Sequence, residues 1–388
     1  MLLLWIALGL VLVRMSRLSP FEYVDETMTG ESKDSKRQRG ILASSAEFTR
    51  YDQVNKPDYH LAESADGADV FDEDFEFATC DLGRFLHGDA GDKRKFADEL
   101  GEAMRDIGFA ILEGHGVDPE LFKQADGWVE QLFTTTDLKD KMRFRAARHG
   151  AVSEGYFPLE ETSDIHPDQV EGWVFGRRAF DLPGNEQPFD AATLWPRPEF
   201  EPKFRQLVQA EGALIQPIMR SILMGLGLDP NLFDERLHNP HLASRLNYYP
   251  PLDQAAPANA SRLLGHEDVD LFTLLPAPSI EGLQALKRDG RWARLSPPAG
   301  TIILNTGDYL QRLSNDILPS TTHRVGRPRD ASLHQRPRVS FPLAAYLRPN
   351  EILKVLPGTG TPKYDPIKVI TFHTRTTAKF YGDNYAIE

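Results

Sequence analysis

The chain has 388 residues, 41% of them hydrophobic, and a formal net charge of −13 from 44 Lys and Arg against 57 Asp and Glu. That is enough apolar material for a sizeable core, and the acidic balance disfavours long-range attraction to nucleic-acid phosphates or an anionic bilayer. A single cysteine, Cys80, excludes an intramolecular disulfide and a cysteine-built metal cluster; any metal site must come from His, Asp and Glu, and the usage fits a reducing compartment.

The chain opens on an apolar run, MLLLWIALGLVLV, ending at Val13. It is short for a bilayer span, which takes about 20 residues, and no basic stretch precedes it as in a secretory leader. A short membrane anchor and an over-extended frame that truly starts at Met15 both remain open, and the expected location is cytoplasmic. Residues 16–75 are rich in Ser, Asp, Glu and Lys, so 1–75 reads as an apolar leader followed by a loosely ordered arm. From Phe77 the texture changes. FATCDLGRFL reads as a strand and turn, 92–106 as a helix with Phe96, Leu100 and Met104 on one face, and Ile107–Leu112 as a strand. Asp118–Phe133 reads as a helix with Pro119 near its start, where a missing N–H is harmless. Phe204–Leu226 is amphipathic and stops at the Gly-rich MGLGLDP. Together these form an α/β support region, 77–235.

After Pro240, short apolar runs alternate with Gly, Pro and Asp: LASRLNYY, DLFTLLP, GLQALKRDGRW, GTIILNTG and RVSFPLAAYL. Closely spaced strands of this kind build a jelly roll or another compact β architecture, with KRDGRW as a tight hairpin at Asp289-Gly290. The expected fold is mixed α+β and β-rich. Its catalytic core spans 236–350, helices pack on one β face, and 351–388 is a C-terminal segment and candidate lid.

GHEDVD places His266 and Asp268 two apart, on the same face of an extended segment. His323 in STTHRV follows after enough chain for several strands to return beside the pair. Two imidazoles and one carboxylate on one side of an octahedral ion leave three positions open, the arrangement of oxygen-activating non-haem iron. Glu267 is expected to face away into solvent, and Asp270 is left outside the site because the chain can turn after Asp268. His334 is a rival third ligand, set in an Arg-rich loop. In the next candidate strand, Arg338 and Ser340 share a face. A buried guanidinium calls for an anion, which it grips bidentately, and an external dicarboxylic acid whose other end reaches the metal would serve. Tyr249 could add a phenolic donor, with Asn247 on the same face.

In this order the residues resemble the isopenicillin-N-synthase-like family of iron(II)/2-oxoglutarate-dependent dioxygenases. The likeness rests on N-Y-Y-P (Asn247–Pro250), H-x-D (His266–Asp268) with Thr273-Leu274-Leu275 after it, Gly307–Asn315, S-x-x-H-R-V (Ser320–Val325) and R-x-S (Arg338–Ser340). In the N-terminal part, DLGRFL and GFAILEGHGV resemble the family's entry strand and strand-turn. The resemblance covers about residues 77–350, with a family-like helix after Pro366. Three departures mark a divergent member: Glu267 between the ligands, Asn315-Asp316 where Asn-Gly is usual, and Gly114 where Asn precedes His-Gly.

The resemblance implies a distorted jelly roll, the double-stranded β-helix, with Fe(II) on His266, Asp268 and His323. It implies 2-oxoglutarate as co-substrate, its distal carboxylate on Arg338 and Ser340, with Tyr249 assisting and Asn247 shaping the site. The implied reaction spends O2 and 2-oxoglutarate, releases succinate and CO2, and oxidises a C–H bond of a small metabolite of secondary metabolism by hydroxylation, desaturation or cyclisation. Two other readings are kept: an iron oxidase of the same fold that uses no 2-oxo acid, and a non-catalytic cupin-like binding protein. The substrate wall is expected at Tyr156, Trp173, Phe175 and Phe272, with Arg177 and Arg178 as an acid clamp and the tail around Phe372, Arg375 and Tyr381 as a closing element. No nucleic acid or obligate protein partner is expected, and membrane contact only through the apolar leader.

Overall fold

The strings FTLLP and IILNT are buried along their whole length, because the sheet they belong to is covered on both faces. The computed structural model describes residue 54 and residues 69–162, 168–185, 187–252, 262–381 and 385–387. The apolar leader and most of the arm lie outside the described residues. Among the described residues no helix is long and apolar enough to cross a membrane.

In chain order the elements that place the site are β1 (Thr79–Asp81), α1 (Ala90–Asp106), β2 (Phe109–Glu113), α2 (Pro119–Thr135), β3 (Val152–Phe157), β4 (Glu171–Gly176), α3 (Glu201–Gly225), β5 (His241–Tyr249), β6 (Leu263–His266), β7 (Phe272–Pro276), β8 (Leu283–Leu286), β9 (Trp292–Arg294), β10 (Ile302–Thr306), β11 (His323–Val325), β12 (Arg338–Ser340), β13 (Leu343–Tyr346) and α4 (Val369–Tyr381). The large sheet runs β1–β2–β10–β7–β13–β5–β4–β3, with β12 also on β5 and a short strand at Ala147–His149 beyond β3. The small sheet runs β9–β8–β11–β6. This is the distorted jelly roll, with the support helices on the outer face of the large sheet.

Strand parity divides the core in two. Phe272, Leu274, Ile302, Leu304, Ala110 and Leu112 face outward and pack with the helical residues Leu100, Met104, Val129 and Ile218. Their neighbours Leu275, Ile303 and Phe109 face inward and meet Leu283 and Ala285 of the small sheet. Residues of β7 and β10 therefore read as continuous apolar runs rather than an alternation.

The helix ends follow local chemistry. Asp89 and Asp92 form a reciprocal capping box at the start of α1. Asp118 caps α2 through the Glu120 N–H, with Pro119 in its first turn. Helices α1 and α3 cross where both carry glycine: a Cβ on Gly225 would sit 2.5 Å from the Ala97 carbonyl. Arg94 and Arg105 donate to the carbonyls of Met224 and Gly225, closing the end of α3. The hairpin at Asp289-Gly290 is present, with Gly290 at φ 83° and Trp292 opposite Leu286. The expected strand RVSFPLAAYL is split into β12 and β13, because Pro342 has no N–H to give β5 and only its carbonyl accepts, from Arg245. Gly114 stands where the family has Asn because its φ is +63° and a Cβ there would lie 2.1 Å from Asp81 Oδ1. Beside it His115 is buried, with Nε2 on the Gly300 carbonyl at 2.8 Å.

Candidate metal centre and active site

Strands β6 and β11 are adjacent in the small sheet, and His266 and His323 are direct partners in their register. Their rings lie 4.4 Å apart between centroids. Each Nδ1 meets a carbonyl two residues back, Leu264 at 2.9 Å and Thr321 at 3.1 Å. A ring whose Nδ1–H donates to a carbonyl carries its free lone pair on Nε2. Both Nε2 atoms face Asp268 Oδ1, each at 3.8 Å, and the three ligand atoms lie within 4.8 Å of one another. The other carboxylate oxygen, Oδ2, accepts from the Thr273 hydroxyl at 2.6 Å and from Asn305 Nδ2 at 2.8 Å. Thr273 and Asn305 face each other across β7 and β10, so the large sheet aims a carboxylate at two imidazoles on the small one.

The electrostatics suit a cation. Burial, then the neighbouring His323, pulls His266 down to about 4, so the ring is neutral and able to ligate. Burial opposes the Asp268 carboxylate, yet the two imidazoles and the hydrogen bonds from Thr273 and Asn305 outweigh it and hold the pKa below its ordinary value. Asp270 stays outside the ligand set, as expected, but lines the same cavity. It is buried and linked to Thr273 at 2.8 Å, and burial together with the Asp268 charge pushes it well above the usual carboxylate range. The rival His334 lies in its loop with Nε2 at the Pro328 carbonyl.

Glu267 corrects an expectation. It is 3% exposed rather than solvated: Lys379 of α4 meets it at 2.7 Å and the Thr322 hydroxyl also donates to it. Glu267 follows directly on β6, and α4 covers it there through Lys379. His373, also on α4, bonds the Tyr309 hydroxyl at 2.9 Å and the backbone carbonyl of Val269, and burial pulls its pKa to about 4. The unfolded chain takes up this proton near pH 6.5, the folded chain only near pH 4, so the stabilisation is complete above 6.5 and is lost as pH falls through that window. The loss is worth roughly 3 kcal/mol by pH 4. Denaturant midpoints of metal-free protein between these pH values should fall steeply, and less steeply in His373→Gln; equal slopes would show that His373 does not carry the effect.

The triad opens into a cavity of about 230 Å³. At one end lie Arg338, Ser340, Tyr249 and Asn247. Register explains their meeting, since Arg338 pairs with Tyr249 and Ser340 with Asn247 across β12 and β5. Asn247 Nδ2 reaches Ser340 Oγ at 3.3 Å, and the Arg338 guanidinium sits 4.8 Å from the Tyr249 ring centre. Arg338 is 1% exposed, and among the described residues its Nη1 has no hydrogen-bond partner. The donors thus fit a carboxylate whose far end reaches the triad.

The other end of the cavity is not the wall expected. Tyr156, Trp173, Phe175 and Phe272 are each no more than 2% exposed and belong to the core on the outer face of the sheet. Trp173 and Phe175 stack on each other, and Phe175 on Trp195 at 3.8 Å. Arg177 turns to the carbonyls of Pro183 and Pro240, and Arg178 pairs with Glu154 at 2.7 Å. The stretch 155–180 carries strands β3 and β4, apolar on both faces, so composition does not say which face is inward. The inward residues are Phe157 and Val174, joined by Val152 and Ala243. Arg245 of β5 lines the cavity too, at two-residue spacing from Asn247 and Tyr249. Its Nε donates to Asn247 Oδ1 at 2.9 Å and its guanidinium lies 5.7 Å from the Phe157 ring centre. Extending the shared face of Asn247 and Tyr249 by one more step would have found it. Of the tail residues, Phe372 is core, whereas Phe380, Tyr381 and Tyr385 line the cavity; the Tyr385 hydroxyl meets Ser153 Oγ at 2.6 Å.

Residues 78–198 match the family described as non-haem dioxygenase in morphine synthesis N-terminal, and residues 240–343 match the 2OG-Fe(II) oxygenase superfamily. The chain belongs to the iron(II)/2-oxoglutarate-dependent oxygenases. Among curated relatives of this oxygenase, the 2-oxoglutarate-Fe(II) type oxidoreductase ppzC of Metarhizium majus is 27% identical over 337 residues, 79% of this chain and 88% of that one. Isopenicillin N synthase of Streptomyces griseus is 26% identical over 64% of this chain and 79% of its own. Among solved structures, a full-length Neurospora crassa protein crystallised in complex with alpha-KG is 25% identical with a TM-score of 0.68, covering 79% of this chain and 100% of that one. The oxygenase is an enzyme with Fe(II) on the triad, using 2-oxoglutarate and O2 to oxidise a small metabolite.

Proposed function

We propose that this oxygenase acts on a small, partly apolar metabolite bearing an acidic group, which Arg245 holds while the rest of the molecule lies against Phe157, Val174 and Tyr381. The observation that carries this reading is a guanidinium on the cavity wall, fixed at Nε by Asn247 and lying among apolar and aromatic side chains. Such a pocket favours a ligand with one anionic end and an apolar body. The co-substrate binds next to it: Arg338 and Ser340 receive its distal carboxylate, Tyr249 adds a phenolic donor, and Asn247 links Ser340 to Arg245 and separates the two subsites. Bound at the triad, Fe(II) with 2-oxoglutarate and O2 supplies the oxidant for a C–H bond, and the co-substrate leaves as succinate and CO2. The chain's own part is placement. Arg245 sets which carbon approaches the metal, and the aromatic tail keeps bulk water from it.

Succinate release over a panel of small carboxylic acids and their methyl esters tests the reading. Turnover is expected with an acid and lost with its ester. Arg245→Leu should lower kcat/KM for that acid by about thirtyfold or more. Equal turnover of acid and ester, or unchanged substrate kinetics in Arg245→Leu, would remove Arg245 from substrate recognition.

A further inference from the structure

A second arginine, outside the R-x-S pair, lies close enough to Arg338 to be repelled by it. Arg262 immediately precedes β6 and is 1% exposed, yet among the described residues none of its three guanidinium nitrogens has a hydrogen-bond partner. Arg338 spends Nε on the Ile280 carbonyl at 3.0 Å and leaves Nη1 open. Leu263, next in sequence to Arg262, packs with Tyr249 and Val325, and the Tyr249 ring lies against the Arg338 guanidinium. Burial and the repulsion of Arg338 pull Arg262 down to about 10. The carboxylate that acts on Arg338 is Asp126, itself held by Ser279, and among the described residues no carboxylate acts on Arg262. Two buried guanidiniums that repel each other, with an acid acting on Arg338 alone, form a costly arrangement until another anion enters.

We propose that Arg262 and Arg338 together clamp the distal carboxylate of 2-oxoglutarate, and that Arg262 makes the site selective for a dicarboxylic co-substrate. A carboxylate offers about four lone-pair sites, more than the open Nη1 of Arg338 and the Ser340 hydroxyl occupy. The orphaned donors of Arg262 take the remainder. With Asp126, the incoming carboxylate balances the two guanidiniums. The inference rests on the reading that Arg338 receives the far end of the co-substrate.

The test is calorimetric titration of the Zn(II)-loaded full chain with 2-oxoglutarate and with oxalate, which chelates the metal but has no distal carboxylate. Arg262→Gln should weaken 2-oxoglutarate by about tenfold to a hundredfold and leave oxalate unchanged. Arg262→Lys, which keeps the charge without the fork, should fall between this variant and wild type, and it serves if the glutamine variant does not fold. Equal weakening of both ligands would make Arg262 a structural support and overturn the clamp. So would unchanged 2-oxoglutarate binding in Arg262→Gln while Arg338→Gln loses it. If Arg338→Gln also binds 2-oxoglutarate normally, the anchoring role of Arg338 fails first and the clamp falls with it.

Discussion

Asp268→Ala should lose iron binding and turnover together, while the chain stays folded. The carboxylate is the one triad member whose aim depends on both sheets: Oδ2 is held by Thr273 and Asn305, and Oδ1 is directed at two imidazole nitrogens fixed from the other side. Without it two neutral rings remain, and nothing offsets the charge of a divalent ion in a buried site. Disturbing an outer partner of a metal ligand costs about tenfold to a hundredfold in affinity. Asn305→Ala should fall in that range, and Asp268→Ala should exceed it. Co(II) titration followed by absorbance measures affinity directly, and oxygen uptake with 2-oxoglutarate reports turnover. Metal affinity in Asp268→Ala equal to that of Asn305→Ala would mean that the carboxylate is not a ligand.

Lys379→Met should be among the most destabilising single changes in the chain. The ammonium is 1% exposed on its side chain and the Glu267 carboxylate 0%, at 2.7 Å. Removing one partner of such a pair typically costs about 3–5 kcal/mol, whereas replacing both with apolar groups is often neutral. The double variant Glu267→Met/Lys379→Met should therefore recover most of the loss in urea unfolding. A cost of less than about 1 kcal/mol for Lys379→Met would place the pair with ordinary surface salt bridges and detach α4 from the metal centre.

The triad was legible because its signal is local: an i, i+2 pair on an extended segment, then one histidine in a second motif. Helices α1, α2 and α3 were legible from periodicity and caps, with ends shifted by a few residues where caps such as Asp89 sit outside the periodic stretch. Strands β3 and β4 were hidden because Trp173 and Phe175 face one core while Val174 faces the cavity, and an apolar run does not state its parity. Glu267 was misread for a different reason. Strand alternation was read as turning it to solvent, but Lys379 of α4, 112 positions later, meets it and keeps it buried. Arg262 shows the same limit: being buried with no hydrogen-bond partner among the described residues is a property of the folded neighbourhood, and no sequence motif singled it out.

The tail that seals the cavity also sets an order of events during synthesis. His266 and His323 leave the ribosome before Tyr381 and Tyr385, because synthesis runs from the N-terminus. The metal ligands can thus come together on a chain whose cavity still lacks its aromatic wall. A nascent enzyme of this design can acquire its metal through an open side. It gains the means to choose among substrates only when the residues around Tyr385 have been made and docked on Ser153.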